Sequence, residues 1–105
     1  MSLGRREELV RLARQYDALV VTDDVYDMLQ WPSSPEERPR RMDKASLPRI
    51  VDIDDYLDGG PIDEFGNVVS NGSFSKIVAP GCRTGWAEGA ERLAYGISQT
   101  YEPLQ

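Results

Sequence analysis

Between residues 73 and 86 the sequence reads Ser-Phe-Ser-Lys-Ile-Val-Ala-Pro-Gly-Cys-Arg-Thr-Gly-Trp. Two hydroxyls (Ser73, Ser75), one amine (Lys76) and one guanidinium (Arg83) thus share a short run, punctuated by Pro80, Gly81 and Gly85, that reads as a loop. A lysine amine condenses with an aldehyde to form a Schiff base. It must first be deprotonated, which desolvation or a cationic neighbour such as Arg83 favours. A guanidinium fork and two hydroxyls suit a phosphate. The stretch therefore fits an aldehyde cofactor that carries a phosphate. Each residue also has an ordinary reading. Most lysines are solvated surface groups, an arginine often serves a structural ion pair, and serines satisfy backbone groups in tight turns.

A second group lies upstream at Thr22-Asp23-Asp24-Val25-Tyr26. Asp23 and Asp24 follow the apolar run Ala18-Leu19-Val20-Val21, at the carboxyl end where open α/β sheets bind ligands. A carboxylate at Asp23 could keep a pyridine nitrogen protonated; the plainer reading is a turn or helix-cap aspartate. Asp24 reads as its structural neighbour. Tyr26 could donate to a phenolate oxygen, although a packed aromatic is the better reading in isolation. Cys82 has no histidine to activate it, because the chain contains none. Gly72 to Lys76 does not match the phosphate-binding loop of nucleotide hydrolases. Asp23 and Asp24, with the acidic run from Asp52 to Glu64, leave open a magnesium-dependent phosphate-binding module.

The elements that must position these groups are short. Ser2 can cap a helix starting at Leu3 or Gly4, with Leu9, Leu12, Ala13 and Tyr16 on one face and Glu7 and Arg11 as a weak surface pair. Residues 18–22 form an unbroken apolar run that predicts a strand covered on both faces, as in a parallel sheet. A turn follows to Trp31, then a long irregular loop over about residues 32–48 with four prolines. Arg49 to Ile53 reads as a short strand, Asp54 to Gly66 as a loop, Asn67 to Asn71 as a strand leading into the lysine loop, and Arg83 to Ala87 as another. Gly89 to Thr100 reads as a helix with Ala90, Leu93, Ala94 and Ile97 on its apolar face. This is too little cover for a doubly wound sheet, so the expected fold is an incomplete piece of a larger α/β domain.

The chain has 105 residues, one domain at most. Its 18 acidic against 12 basic residues, a net charge of −6, disfavour nucleic acid or an anionic membrane as the main partner. No apolar run is long enough to span a membrane and no export signal is visible, which points to the cytoplasm. One cysteine allows no internal disulfide.

Taken together, the apolar strand ending in Asp23-Asp24-Val25-Tyr26 and the pattern S-x-S-K-x-x-x-P-G-x-R-x-G-W at Ser73 to Trp86 resemble the fold-type I pyridoxal-phosphate aminotransferases of class I/II. The pattern is most like that of fungal and bacterial members associated with 2-aminoadipate or aromatic amino acids. The resemblance implies a central slice, residues 1–105, of the large cofactor domain: a mostly parallel sheet with flanking helices. It implies pyridoxal 5'-phosphate as cofactor, Lys76 as the Schiff-base lysine and proton carrier, Asp23 on the pyridinium nitrogen, Tyr26 on the ring 3-oxygen, and Ser73, Ser75 and Arg83 on the phosphate. It implies an amino acid and a 2-oxo acid as substrates and a homodimeric parent enzyme. The family's glycine-rich phosphate turn, its ring-stacking aromatic and its carboxylate-binding arginine have no counterpart in the sequence. The expectation is therefore a truncated slice with little activity of its own. The alternative is a non-catalytic fragment that docks on a full-length relative or another partner.

Overall fold

The computed structural model describes residues 1–27, 29 and 47–100. The long loop expected at about 32–48 lies almost wholly outside the described residues. Helix α1 (Leu3–Gln15) begins as its sequence demands: Ser2 is extended at the N-cap and its Oγ accepts from the Arg5 N–H at 3.4 Å. It ends without a glycine. Asp17 takes the left-handed conformation (φ 50°), and the Ala18 N–H returns to the Ala13 carbonyl at 2.8 Å. The buried side of α1 carries Val10 and Ala13, whereas Leu12 and Tyr16, expected on the apolar face, are exposed. Arg11 does not depend on Glu7; it forms a bidentate pair with Asp58 at 2.9 and 3.2 Å.

Strand β1 (Val20–Asp23) pairs in parallel with β2 (Val68–Ser73), from Val20 opposite Val68 to Asp23 opposite Asn71. Strand β3 (Gly85–Glu88) runs antiparallel along the other side of β2. The result is a small mixed α/β fold with sheet order β1-β2-β3. A parallel pair needs a crossover, and here it contains α2 (Ile50–Tyr56) and a 3₁₀ turn (Leu57–Gly59). Val10, Val51, Ile53, Leu57 and Val68 form the core, with Val20 and Ile50 packed against it. Helix α3 (Glu91–Ser98) starts just after Gly89, whose Cα faces Val69 and Leu93 so closely that an added Cβ would lie 3.2 Å from Val69 Cγ2 and 3.6 Å from Leu93 Cδ2. Val69 points opposite to Val68, so α3 begins on the other face of the sheet.

Two expectations are corrected. Among the described residues β1 lies at the sheet edge rather than inside it, and its burial alternates; Val21, and Leu19 just before the strand, are more than half exposed. Arg49 to Ile53 is not a strand; the segment from Ile50 is α2. The apolar residues Ile50, Ile53 and Leu57 do have helical spacing, but the fourth position of that face is Asp54, which hides the period. The helix starts where the Asp52 carboxylate accepts from the Arg49 N–H at 2.9 Å, placing an acceptor on the free amides of its first turn.

Asp54 is buried because its charge is answered. The Arg14 side chain, 7% exposed, meets the Asp54 side chain, 4% exposed, at 3.1 Å. Arg14 also donates to the Leu57 carbonyl at 2.7 Å and to the Asp54 carbonyl at 2.9 Å. The second oxygen of Asp54 accepts from the Asn67 N–H at 2.8 Å. Asn67 in turn donates its side-chain amide to the Ala18 carbonyl at 2.9 Å, and its own carbonyl accepts from the Val20 N–H at 2.8 Å. Gly66 is required beside this network: its φ is 65°, and a Cβ there would stand 2.6 Å from Asp54 Oδ2.

Removing one member of a buried pair leaves an uncompensated charge. Asp54→Ala should therefore cost about 3–5 kcal/mol, read by urea denaturation. Arg11→Ala, at an exposed pair, should leave the midpoint nearly unchanged.

Candidate active site

Because β1 and β2 are parallel, their carboxyl ends lie at the same end of the sheet. Asp23 closes β1 and is exposed. The ladder continues one bond further, with the Asp24 N–H donating to the Asn71 carbonyl at 2.8 Å. On the neighbouring strand, Ser73 closes β2 opposite Gly85. The Phe74 N–H then bonds the Thr84 carbonyl at 3.1 Å, so residues 75–83 form a loop closed at its base.

That loop is wound tightly. The N–H groups of Ile77, Val78 and Ala79 converge on the Phe74 carbonyl at 3.2, 2.9 and 3.2 Å, and the Ser75 N–H bonds Ser73 Oγ at 3.3 Å. Lys76 is carried on the outside of this turn. Pro80–Cys82 form a single 3₁₀ turn, with proline at its first position where no N–H is needed. Arg83 follows with φ 49°, a left-handed conformation unusual for a residue with a long side chain. At the base of the loop the Trp86 ring lies over Gly72, where a Cβ would come within 2.5 Å of the indole, and meets Phe74 edge-on at 5.0 Å. Gly72 is thus a packing position on a strand and takes no part in a phosphate-binding turn.

Ser73, Ser75, Lys76 and Arg83 therefore share one hairpin, with Asp23 at the adjoining strand end. Tyr26 lies on the turn after β1 with its side chain largely exposed. No hydrogen bond or ion pair among the described residues joins Lys76 or Arg83 to Asp23, Tyr26 or each other. Arg5 and Arg6 likewise meet no carboxylate among the described residues, whereas four other arginines do. Arg11 pairs with Asp58, Arg14 with Asp54, Arg49 with Asp52 and Glu88, and Arg92 with Glu64. In a chain of net charge −6, the hairpin nevertheless keeps an exposed amine and an exposed guanidinium without a carboxylate partner among the described residues. An open groove of about 400 Å³ is bounded by Arg11, Arg14 and residues 58–62, none of them candidate residues. No three metal-ligating side chains converge among the described residues, so the magnesium alternative has no assembled site there.

Two features escaped the sequence reading. Arg49 binds Asp52 through two bonds and Glu88 through two more, at 2.8–3.1 Å, tying the start of α2 to the end of β3. Asp24 accepts from the hydroxyls of Thr22 and Ser70, the latter fully buried on β2. The available signal for the second was a serine between the apolar Val69 and the strand end. Nearby, the Asp27 carboxyl is pushed above its ordinary value, first by burial and then by the charge of Asp24, with Arg49 opposing.

No family model matches the chain, and no solved structure matches it. Over most of its length the chain is homologous to proteins of the aminotransferase family. It is 33% identical over 110 residues to an aromatic amino acid aminotransferase of Schizosaccharomyces pombe, covering 97% of this chain and 21% of that protein. It is 34% identical over 86 residues to an aromatic-amino-acid aminotransferase of Thermococcus litoralis, covering 82% of this chain and 16% of that protein. An uncharacterised protein of Saccharomyces cerevisiae is 46% identical over 88 residues, 83% of this chain and 18% of that protein. The chain thus spans about a fifth of the length of these relatives. Among the described residues, no helix is long and apolar enough to cross a membrane.

The raised Asp27 carboxyl has a pH consequence. The folded state holds this proton more tightly than the unfolded state does, so its contribution to stability falls as pH rises through the raised value. Asp27→Asn, which mimics the protonated form, should raise Tm near pH 7, and its advantage should vanish near pH 3. Thermal melts across that range check it.

Proposed function

We propose that the chain carries pyridoxal 5'-phosphate on Lys76, as part of a transaminase that moves an amino group between an amino acid and a 2-oxo acid. The observation that carries this reading is the hairpin that groups two serines with an amine and a guanidinium lacking a carboxylate partner among the described residues, beside the strand that ends in the exposed Asp23. The donor set fits the cofactor. Arg83, Ser73 and Ser75 would hold the phosphate through charge-assisted bonds. Lys76 would hold the aldehyde carbon, and its amine, once displaced by the substrate's amine, would carry the proton between the substrate carbon and the cofactor carbon. Asp23 would keep the pyridine nitrogen protonated, and Tyr26 would donate to the ring 3-oxygen. Bound there, the cofactor supplies an electron sink for charge developing on the substrate carbon.

The likeness to the aromatic amino acid aminotransferases of Schizosaccharomyces pombe and Thermococcus litoralis favours aromatic amino acids as the substrate class. The resemblance favours a homodimer as the working form and residues 1–105 as part of a large cofactor domain. Since the chain spans about a fifth of its relatives, it should transaminate poorly by itself while retaining the chemistry of the lysine hairpin.

The test is reduction with borohydride after addition of pyridoxal phosphate, followed by peptide mass spectrometry. The adduct should fall on Lys76, with the chain's other lysine, Lys44, as internal control. Lys76→Ala should abolish it. Arg83→Ala should weaken cofactor binding by about tenfold to a hundredfold, the scale of a lost hydrogen bond to a charged group. Equal labelling of Lys44 and Lys76 would sink the assignment.

A further inference from the structure

We propose that Asp24 is a positioning residue of this site, setting the place of Asp23 relative to the Lys76 hairpin by pinning the carboxyl ends of β1 and β2 together. Its functional consequence rests on the cofactor reading above. The pinning itself rests on geometry. Oδ2 of Asp24 accepts from Thr22 Oγ1 on its own strand and from Ser70 Oγ on the neighbouring one. The Asp24 N–H donates to the Asn71 carbonyl, and Thr22 Oγ1 also reaches the Val69 carbonyl at 3.4 Å. One residue therefore makes both a backbone and a side-chain connection across the two strands, immediately after Asp23 and just upstream of Ser73.

The physical need is clear from the strand itself. β1 has four residues and pairs only with β2 among the described residues, so its end would fray without a fastening. An ionised carboxylate accepts and cannot donate, whereas a hydroxyl can do either. Oδ2 of Asp24 is the shared acceptor that draws the two hydroxyls, one from each strand, to one point. Ser70 is wholly buried, so it has no water to turn to.

The experiment uses the full chain and two readouts. Hydrogen exchange by mass spectrometry follows the backbone amides of Asp24 and of residues 71–76, with the Ile53 amide, bonded to the Arg49 carbonyl at 3.0 Å, as the core reference. Borohydride trapping follows Lys76. Asp24→Ala should speed exchange at the strand ends by about tenfold or more, the scale of lost charge-assisted bonds, leave Ile53 protected, and reduce trapping at Lys76. Ser70→Ala should show the same pattern more weakly. Asp24→Asn, which keeps an acceptor oxygen but loses the charge, should fall between the wild type and Asp24→Ala in both readouts. Unchanged strand-end exchange in Asp24→Ala would overturn the proposal. So would acceleration spread equally to Ile53, which would make the effect a general loss of stability. If Asp24→Ala does not fold, Ser70→Ala decides by the same criteria. Failure of the wild type to trap cofactor at Lys76 would remove the cofactor reading alone, because exchange still decides whether Asp24 fastens the strands.

Discussion

The buried contact between Arg14 and Asp54 is the constraint on which the rest of the chain depends. The guanidinium comes from α1, the carboxylate from α2, and the carboxylate's other oxygen takes the amide of Asn67 just before β2. From Asn67 the connection runs to Ala18 and Val20, which fixes where β1 starts against β2. A buried ion pair is a poor source of net stability, since desolvation opposes the Coulomb gain. Its effect here is on arrangement. The apolar core is small, and its residues could slide over one another at little cost. The bonds to Asp54 and Asn67 permit one offset between the strands, and that offset brings Asp23 level with Asn71, two residues before Ser73.

The legible parts of the sequence were those in which local chemistry and tertiary structure agree. Ser2 and the helix after it, the strand at Asn67 to Asn71, the strand before Ala87 and the final helix all follow from caps, turns and short-range pattern. The misreadings arose where a long-range partner overrides the pattern. Asp54 sits on the buried side of α2, and only Arg14, 40 positions away, makes that tolerable. The apolar run at 18–22 reads as central, yet among the described residues it forms a four-residue strand with one neighbour. Leu12 and Tyr16 have helical spacing with Ala13, but the sheet lies under Val10 instead.

The site was legible as a set of residue types and much less as a set of contacts. The glycines and prolines around Ser73, Ser75, Lys76 and Arg83 marked a loop, but not the antiparallel pairing of β2 and β3 that makes it a hairpin. What the sequence could not convey is the distribution of charge pairing. Acidic residues outnumber basic ones, yet among the described residues Arg5 and Arg6 also meet no carboxylate. Arg11, Arg14, Arg49 and Arg92 each meet a carboxylate; Lys76 and Arg83 meet none among the described residues. Arg83 has a left-handed backbone, and Lys76 lies in the turn wound on the Phe74 carbonyl.

The position of β1 at the rim has a bearing on solubility. Its outer side offers hydrogen-bonding groups that no described residue takes up, flanked by the exposed side chains of Leu19 and Val21. Such a rim is a template for intermolecular strand addition and fibril growth. Asp23 and Asp24 stand at its tip, so any second chain stacking there in register would bring like charges together. Charge repulsion at that tip would oppose such stacking.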